Sequence, residues 1–167
     1  LSIMGRPPPE LSARSEPFAA HPLVFVCPPG HPLMAIGHPP LPSLARYPFI
    51  VREQGSGTRE VMERFFADRG FEPQITMEMS SNEAIKQAVM AGMGISFLSL
   101  HTMGLELSLG LLMRVDVEDT PVMRTWHVVH LQSKVLSPAA EAFRYFVIER
   151  GEPLLIEHDT PLLGPRV

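Results

Sequence analysis

Apolar and polar positions alternate between residues 48 and 94 in a way that predicts two consecutive strand–helix units. Residues 48–51 form a short apolar run, which is typical of a strand buried on both faces. Helical spacing follows, and it predicts a helix whose buried face is formed by Val61, Met62, Phe65 and Phe66. A second strand and a second amphipathic helix come next, and residues 94–98 begin a third strand.

Each predicted helix begins with small hydroxyl residues directly after a strand. Ser56 is the expected N-cap of the first helix, and Gly57 and Thr58 occupy its first turn, where a glycine lets a ligand approach the backbone. Ser80 and Glu83 match a capping box for the second helix. Backbone N–H groups at two such starts, on one edge of a parallel sheet, are suited to hold an anion. The alternative, that these residues only cap their helices, stays open.

The rest of the pattern predicts a chain that leaves a first lobe and later returns to it. The predicted segments are a strand end at 1–4, a strand at 23–27, a proline-rich loop at 28–42, strands at 111–117 and 123–131, a helix at 137–150 and a tail at 151–167. Phe143, Phe146 and Val147 are expected to face inward. The alternation of strands and helices favours a largely parallel sheet with right-handed crossovers.

Composition narrows the class of protein. With 167 residues, 45% of them hydrophobic, the chain is long enough for one domain or two small lobes. A formal charge of −4 argues against direct binding of nucleic acid. Cys27 is the single cysteine and lies in an apolar run, so we expect a buried, inert thiol. Neither a membrane-spanning run nor a signal-peptide pattern is found, so we expect a cytoplasmic chain.

Side chains with catalytic or metal-binding potential do not form a recognisable set. His127 and His130 are three residues apart in a predicted strand, so they should point to opposite faces and not share a metal. His21, His31 and His38 fall in proline-rich segments and are expected at the surface. The sequence contains no P-loop, no GxGxxG and no nucleophile elbow. We therefore predict no enzyme activity, no metal site and no cofactor.

Motifs spread along the chain carry a family resemblance. The central ones are REQGSGTR at 52–59, SNEAIKQAV at 81–89 and AGMGI at 91–95, flanked by GRPP at 5–8, HPL at 31–33 and LSPAA at 136–140. In this combination the chain resembles the effector-binding domain of LysR-type transcriptional regulators, most of all the subgroup that controls carbon-fixation (Calvin cycle) operons. Gln54 departs from the proline that this subgroup often has.

The resemblance implies an α/β fold like that of type II periplasmic binding proteins, with two α/β lobes and the first lobe incomplete. Residues 1–22 would be a remnant of lobe I, 23–117 lobe II, and 118–150 the strand and helix that return to lobe I, before the tail at 151–167. Because the chain opens at Leu1 in what reads as a strand end, we expect it to be a piece of something longer.

The resemblance also implies a sensor that binds a small anionic metabolite between two lobes, as a homodimer or homotetramer. It would contact DNA only through a winged helix-turn-helix missing from this chain, and no membrane. The effector-binding residues carried over from the family are Ser56, Gly57, Thr58, Ser80 and Ser81, with Arg52 and His101 as additional candidates. The alternative is a transport-type solute-binding protein of the same fold, which a signal peptide upstream would favour.

Overall fold

The computed structural model describes residues 1–8 and 10–163 and contains seven strands and four α-helices. In chain order these are β1 (Ser2–Met4), β2 (Ala13–Cys27), β3 (Pro48–Arg52), α1 (Gly57–Ala67), β4 (Gln74–Met79), α2 (Asn82–Met90), β5 (Ser96–Ser99), α3 (Gly104–Ser108), β6 (Met113–Val115), β7 (Val122–Leu131) and α4 (Pro138–Leu163). Short 3-10 helices occupy Pro32–Ile36, Leu41–Arg46 and Leu100–Thr102. The two central strand–helix units are therefore present as predicted.

The chain divides into two compact units. The larger runs from Pro22 to Val122, and the smaller combines Leu1–His21 with the chain from Met123 onward. The long strand β2 contributes its first part to the smaller unit and its last part to the larger one. The larger unit extends five residues beyond the boundary expected at Val117.

Strand pairing is mixed rather than largely parallel. β2 pairs antiparallel with both β5 and β6, and β1 pairs antiparallel with β7. Parallel pairing joins β3 to β4, and a parallel bridge joins Phe49 of β3 to Ile95 just before β5. The expectation of a largely parallel sheet is thus wrong outside this region. Antiparallel neighbours need no helical crossover, so counting strand–helix units in the sequence does not reveal them.

The core of the larger unit is an aromatic cluster centred on Phe25. This fully buried ring lies 4.9 Å from Phe97 and about 6 Å from Phe65 and Phe66, centroid to centroid. Phe66 also packs edge-on against Phe49 at 5.6 Å. The Phe25–Phe66 pair is stacked and the other pairs are tilted or edge-to-face, and at these separations aromatic rings favour offset-stacked and edge-to-face arrangements. The predicted buried face of α1 is confirmed, since it supplies Phe65 and Phe66 to this cluster.

The last helix differs from its prediction in two respects. Phe143 and Phe146, expected to face inward, are each 50% exposed, while Val147 is buried as predicted. The buried face of the helix instead contains Arg144, which is paired with Glu16 and Glu141. A charged side chain with two carboxylate partners can replace an apolar one on a packed face, and sequence periodicity does not anticipate this.

The helix also continues through Leu163 instead of ending at Arg150. Glycine and proline after Arg150 favour a helix end because an interior proline removes a hydrogen bond and clashes with the preceding turn. Tertiary contacts oppose that tendency here: a Cβ at Gly151 would lie 2.6 Å from the Phe18 ring, and Glu152 accepts a hydrogen bond from the Ala20 amide. Most of the predicted tail is thus helical, and residues 164–167 lie outside the described residues.

Two further side chains test the sequence predictions. His21 is buried in β2 and stacks on Trp126 with ring centroids 3.8 Å apart, so its expected surface position is wrong. Cys27 is buried as predicted, and burial raises the pKa of its thiol to about 12.

None of the described helices is both long enough and apolar enough to cross a lipid bilayer.

We expect two phenylalanine substitutions to separate the packed core from the exposed helix face. Phe25→Ala should lower the free energy of unfolding by about 3–5 kcal/mol, because it leaves a cavity among rings that cannot collapse. Phe143→Ala, at a half-exposed position, should cost about 1 kcal/mol or less. Chemical denaturation of both variants measures this, and equal losses would contradict the core assignment.

Candidate functional site

Parallel pairing places the ends of β3 and β4 at one edge of the larger unit. β3 ends at Arg52 and β4 at Met79, and these two residues are direct partners in the ladder. The turn after β3 is tied to the end of β4 by a hydrogen bond from the Glu53 amide to the Met79 carbonyl, 3.2 Å long. The starts of α1 and α2 therefore follow strand ends that meet at the same edge, as the anion-site hypothesis requires.

Arg52 links the two turns through its side chain. Its Nη1 donates to Oδ1 of Asn82, the first residue of α2, at 2.8 Å. Its Nε and Nη2 donate to the two carboxylate oxygens of Glu53 at 2.7 and 2.9 Å. The Arg52 side chain is 18% exposed, so the sheet edge carries a partly buried cation held by three side-chain hydrogen bonds. The hydrogen bonds from Arg52 lower the pKa of the Glu53 carboxyl, which keeps it ionised.

The first helix start is built by backbone bonds more than by the Ser56 hydroxyl. Ser56 occupies the N-cap position of α1 and is buried, but its side chain makes no cap hydrogen bond. Its amide donates to the Glu53 carbonyl at 3.1 Å, and its carbonyl accepts from the Glu60 amide at 3.0 Å. Gly57 and Thr58 follow in the first turn and are half-buried. The prediction that Ser56 is the N-cap is therefore confirmed, although its hydroxyl does not bond to the helix start.

The second helix start lies one residue later than the capping-box prediction. Ser81, not Ser80, is the N-cap of α2, and its Oγ accepts a hydrogen bond from the Ala84 amide at 3.4 Å. Both serines are exposed. The pattern was ambiguous because two adjacent serines precede the helix, and the backbone conformation selects the second. Because the Ser81 hydroxyl caps α2, this residue supports the alternative that the small hydroxyl residues only cap their helices.

A buried lysine that the sequence reading missed connects α2 to the segment carrying His101. Lys86 is 6% exposed, and its Nζ lies 2.8 Å from a carboxylate oxygen of Glu83 and 2.8 Å from one of Glu106. It also donates to the Thr102 carbonyl at 2.9 Å. His101, half-buried, thus sits in a short helix held against α2. The only sequence signal was a lysine beside the apolar stripe of α2.

The titration of this cluster follows from its partners. Burial acts to lower the pKa of Lys86, but the hydrogen bonds that it donates to Glu106 and Glu83, and their charges, outweigh it and the net pKa is raised. Burial likewise acts to raise the pKa of Glu106, yet the bond and charge of Lys86 leave its pKa below the ordinary value. Both groups are therefore charged near neutral pH, as a hydrogen-bonded pair of opposite charge requires.

A second missed residue, Ser99, ends β5 beside the same segment. Its hydroxyl is buried and has no hydrogen-bond partner among the described residues. Because the Phe49–Ile95 bridge immediately before β5 is parallel, β5 runs in the same direction as β3, and its carboxyl end, where Ser99 ends the strand and His101 follows, lies at this edge. The chain topology therefore places the predicted site residues in three turns at this edge, and the Arg52 side chain is bonded across the first two of them.

Recesses in the surface lie elsewhere in both units. Two in the larger unit, of about 440 and 480 Å³, are both lined by Gly70, Phe71 and Glu72. One in the smaller unit, of about 630 Å³, is lined by residues that include Arg6 and Arg124. None of these three includes a predicted site residue. Within the described part of the chain, no group of three or more His, Cys, Asp or Glu side chains is placed to hold a metal ion.

Comparison with known proteins shows the family to which this chain belongs. The family model described as the LysR substrate binding domain matches residues 1–152. The HTH-type transcriptional regulator CfxR of Cupriavidus necator is 54% identical over 155 residues, which is 93% of this chain and 49% of that protein. The RuBisCO operon transcriptional regulator of Allochromatium vinosum is 48% identical, over 90% of this chain and 50% of that protein. The chain spans about half the length of these curated relatives.

Solved structures show the same fold. The Synechocystis PCC6803 CcmR regulatory domain in complex with 2-PG is 37% identical with a TM-score of 0.81, covering 88% of this chain and 71% of that one. The effector-binding domain of QuiR in complex with shikimate has a TM-score of 0.78, covering 89% of this chain and 70% of that one. At 23% identity, the second likeness concerns the fold alone.

The Lys86 cluster gives a direct stability prediction. Lys86→Met should lower the free energy of unfolding by about 2–3 kcal/mol, because it leaves the Glu106 carboxylate buried without its partner. Glu83→Gln is the matched control, since Glu83 is 72% exposed, and it should cost about 0.5 kcal/mol or less. Urea denaturation near pH 7 compares the two, and similar small losses would show that the cluster is not a structural tie.

Acidification should reveal the Glu106 pair. A carboxyl whose pKa is lowered by folding adds stability above its unfolded pKa, near 4.5 here, and loses it as the pH falls through the folded pKa. Glu106→Gln should therefore lower stability at neutral pH, and the gap to the parent protein should narrow below about pH 4.5. Unfolding free energies measured from pH 7 to pH 3 test this, and a gap that stays constant would contradict it.

Proposed function

Because this chain belongs to the LysR substrate-binding-domain family, we propose that it senses a small phosphorylated anion for a transcriptional regulator. Family membership and the carbon-fixation subgroup, both predicted from sequence motifs, are confirmed by relatives named for the RuBisCO operon and as CfxR and CbbR. The predicted two-lobed α/β fold of the type II periplasmic-binding-protein class is confirmed by the likeness to solved LysR regulatory domains.

The observation that carries the proposed ligand class is the bound relative. The CcmR regulatory domain, 37% identical to this chain, is solved with 2-PG, a small phosphorylated anion. The chemistry of the edge in this chain suits the same class, because two helix starts present N–H groups beside a fixed guanidinium. That the ligand is held between two lobes stays a prediction.

We assign roles to the predicted residues on this basis. Gly57 and Thr58 would offer backbone N–H groups and a hydroxyl from the start of α1, and the Ser56 hydroxyl, which caps no helix, would add a donor. Ser80 and Ser81 would contribute from the second start, although the Ser81 hydroxyl is already engaged with Ala84. Arg52 and His101 complete the predicted set, as the flanking cation and a polar neighbour.

Transmission to DNA is proposed to lie outside this chain. The matched relatives are HTH-type regulators about twice as long as the match, so we assign DNA contact to a helix-turn-helix segment of a longer protein. The net charge of −4 supports this division, because phosphate backbones are bound by cationic surfaces. We infer a cytoplasmic protein that works as a homodimer or homotetramer, in which ligand binding shifts the balance between two states.

Two other classes are weaker. An enzyme would need a base and a nucleophile within hydrogen-bond reach, and the relatives are named as regulators. A transport-type solute-binding protein of the same fold is disfavoured because the two curated relatives described above are both named as transcriptional regulators. The sensor therefore accounts best for both the site and the family.

Ligand-dependent melting tests the proposed function. 2-PG at a hundredfold excess over its Kd should raise the melting temperature of the chain by about 5–10 °C, because a ligand that binds only the folded state stabilises it by mass action. Ser56→Ala and Thr58→Ala should each weaken binding about tenfold or more by removing a donor to a charged group. Differential scanning calorimetry gives the melting temperatures, and titration calorimetry gives the affinities.

The design separates binding from folding. Ser56 makes no cap hydrogen bond, so its substitution should leave the ligand-free melting temperature nearly unchanged. The control is Ser43→Ala, an equivalent change at a serine whose hydroxyl is bonded to the Pro40 carbonyl far from this edge. If no phosphorylated anion shifts the melting temperature, or if both site variants bind like the Ser43 control, the assignment of this edge fails.

A further inference from the structure

The cation at the proposed site is already occupied by a carboxylate of the chain itself. Two of the three guanidinium nitrogens of Arg52 are bonded to Glu53, at 2.7 and 2.9 Å, and the third to Asn82 at 2.8 Å. The two bonds to Glu53 form the bidentate fork with which arginine also binds phosphate oxygens. The side chain of Glu53 therefore stands where an oxyanion could bind.

Glu53 is not needed to shape the turn. Its amide donates to the Met79 carbonyl, and its own carbonyl accepts from the Ser56 amide, so backbone bonds fix its position. Its side chain is 35% exposed and is bonded to Arg52 alone among the described side-chain contacts. The carboxylate can therefore be replaced or displaced without unmaking the two helix starts.

Resting on the function proposed above, we propose that Glu53 is an internal competitor for the anionic effector, holding Arg52 until the effector displaces it. Glu53 thereby sets the affinity and the charge requirement of the site. A partly exposed ion pair is held only modestly, because water and salt screen it. A phosphate group with up to two negative charges and three acceptor oxygens is a stronger partner for the same fork.

The pairing has a consequence for selectivity. With Glu53 ionised, the Arg52–Glu53 pair carries no net charge, so a weakly charged ligand gains little from approaching it. Only a ligand that binds the fork better than Glu53 gains the full attraction of the guanidinium. The internal carboxylate thus acts as a threshold against ordinary anions, a case in which specificity depends on a repulsive element as well as an attractive one.

Titration calorimetry with 2-PG on the full chain tests this competition. Glu53→Gln keeps the size of the side chain and removes its charge, so it should bind 2-PG about three- to tenfold more tightly than the parent. Arg52→Gln should weaken binding. In the Arg52→Gln background, Glu53→Gln should give a distinctly smaller gain, because only its repulsion of the ligand is removed there.

The matched control is Glu72→Gln, the same change of charge at an exposed position on the loop before β4. Melting without ligand confirms that each variant folds. An unchanged or weaker affinity in Glu53→Gln, or an equal gain with and without Arg52 or in Glu72→Gln, overturns the inference while the sensor function survives. If folded parent and folded Glu53→Gln both fail to bind 2-PG, the proposed function and this inference fail together.

Discussion

Parallel pairing of β3 with β4 brings Arg52 and Met79 to one edge, and every feature of the candidate site depends on that register. A helix that follows each strand must then begin at the same edge, so that N–H groups without a helical partner from α1 and α2 face a shared region. The aromatic cluster around Phe25 fixes β3 and α1 relative to each other, since Phe49 of β3 and Phe66 of α1 pack into it. The positions of the strand ends and helix starts at the edge are therefore set by packing in the core.

Electrostatics at the edge is settled within the chain before any ligand arrives. Arg52 is paired with Glu53, Arg59 with Glu63, and Lys86 with Glu106; Arg59 and Lys86 are buried, and Arg52 is partly buried. Buried cations are tolerated only when their charge and their hydrogen bonds are satisfied, which explains why each has a carboxylate partner. No open positive charge is therefore left among these three pairs, and under the proposed function a ligand would have to exchange with a carboxylate that is already bonded.

This organisation suits a sensor better than a catalyst. Sensing needs a ligand to favour one state of the protein over another, and a fixed set of donors at a strand edge can provide that difference without any reactive group. The proposed ligand class rests on the family relation and on the anion bound to a relative, and the ion pairs of this chain supply the physical detail. The smaller unit is organised differently, around Arg144 and the stacked His21 and Trp126.

The local sequence pattern was sufficient to predict the strands and helices but not the contacts that their side chains make. The sequence by itself determined the two strand–helix units, the buried face of α1, the burial of Cys27 and, through its motifs, the family, because each depends on neighbours along the chain. Only the tertiary structure decided that Ser81 rather than Ser80 caps α2, that α4 passes Arg150, that Lys86 is buried against Glu106, and that Arg52 is bonded to Asn82. The Arg52–Asn82 and Lys86–Glu106 contacts join residues distant in sequence, where burial and charge pairing override local propensity.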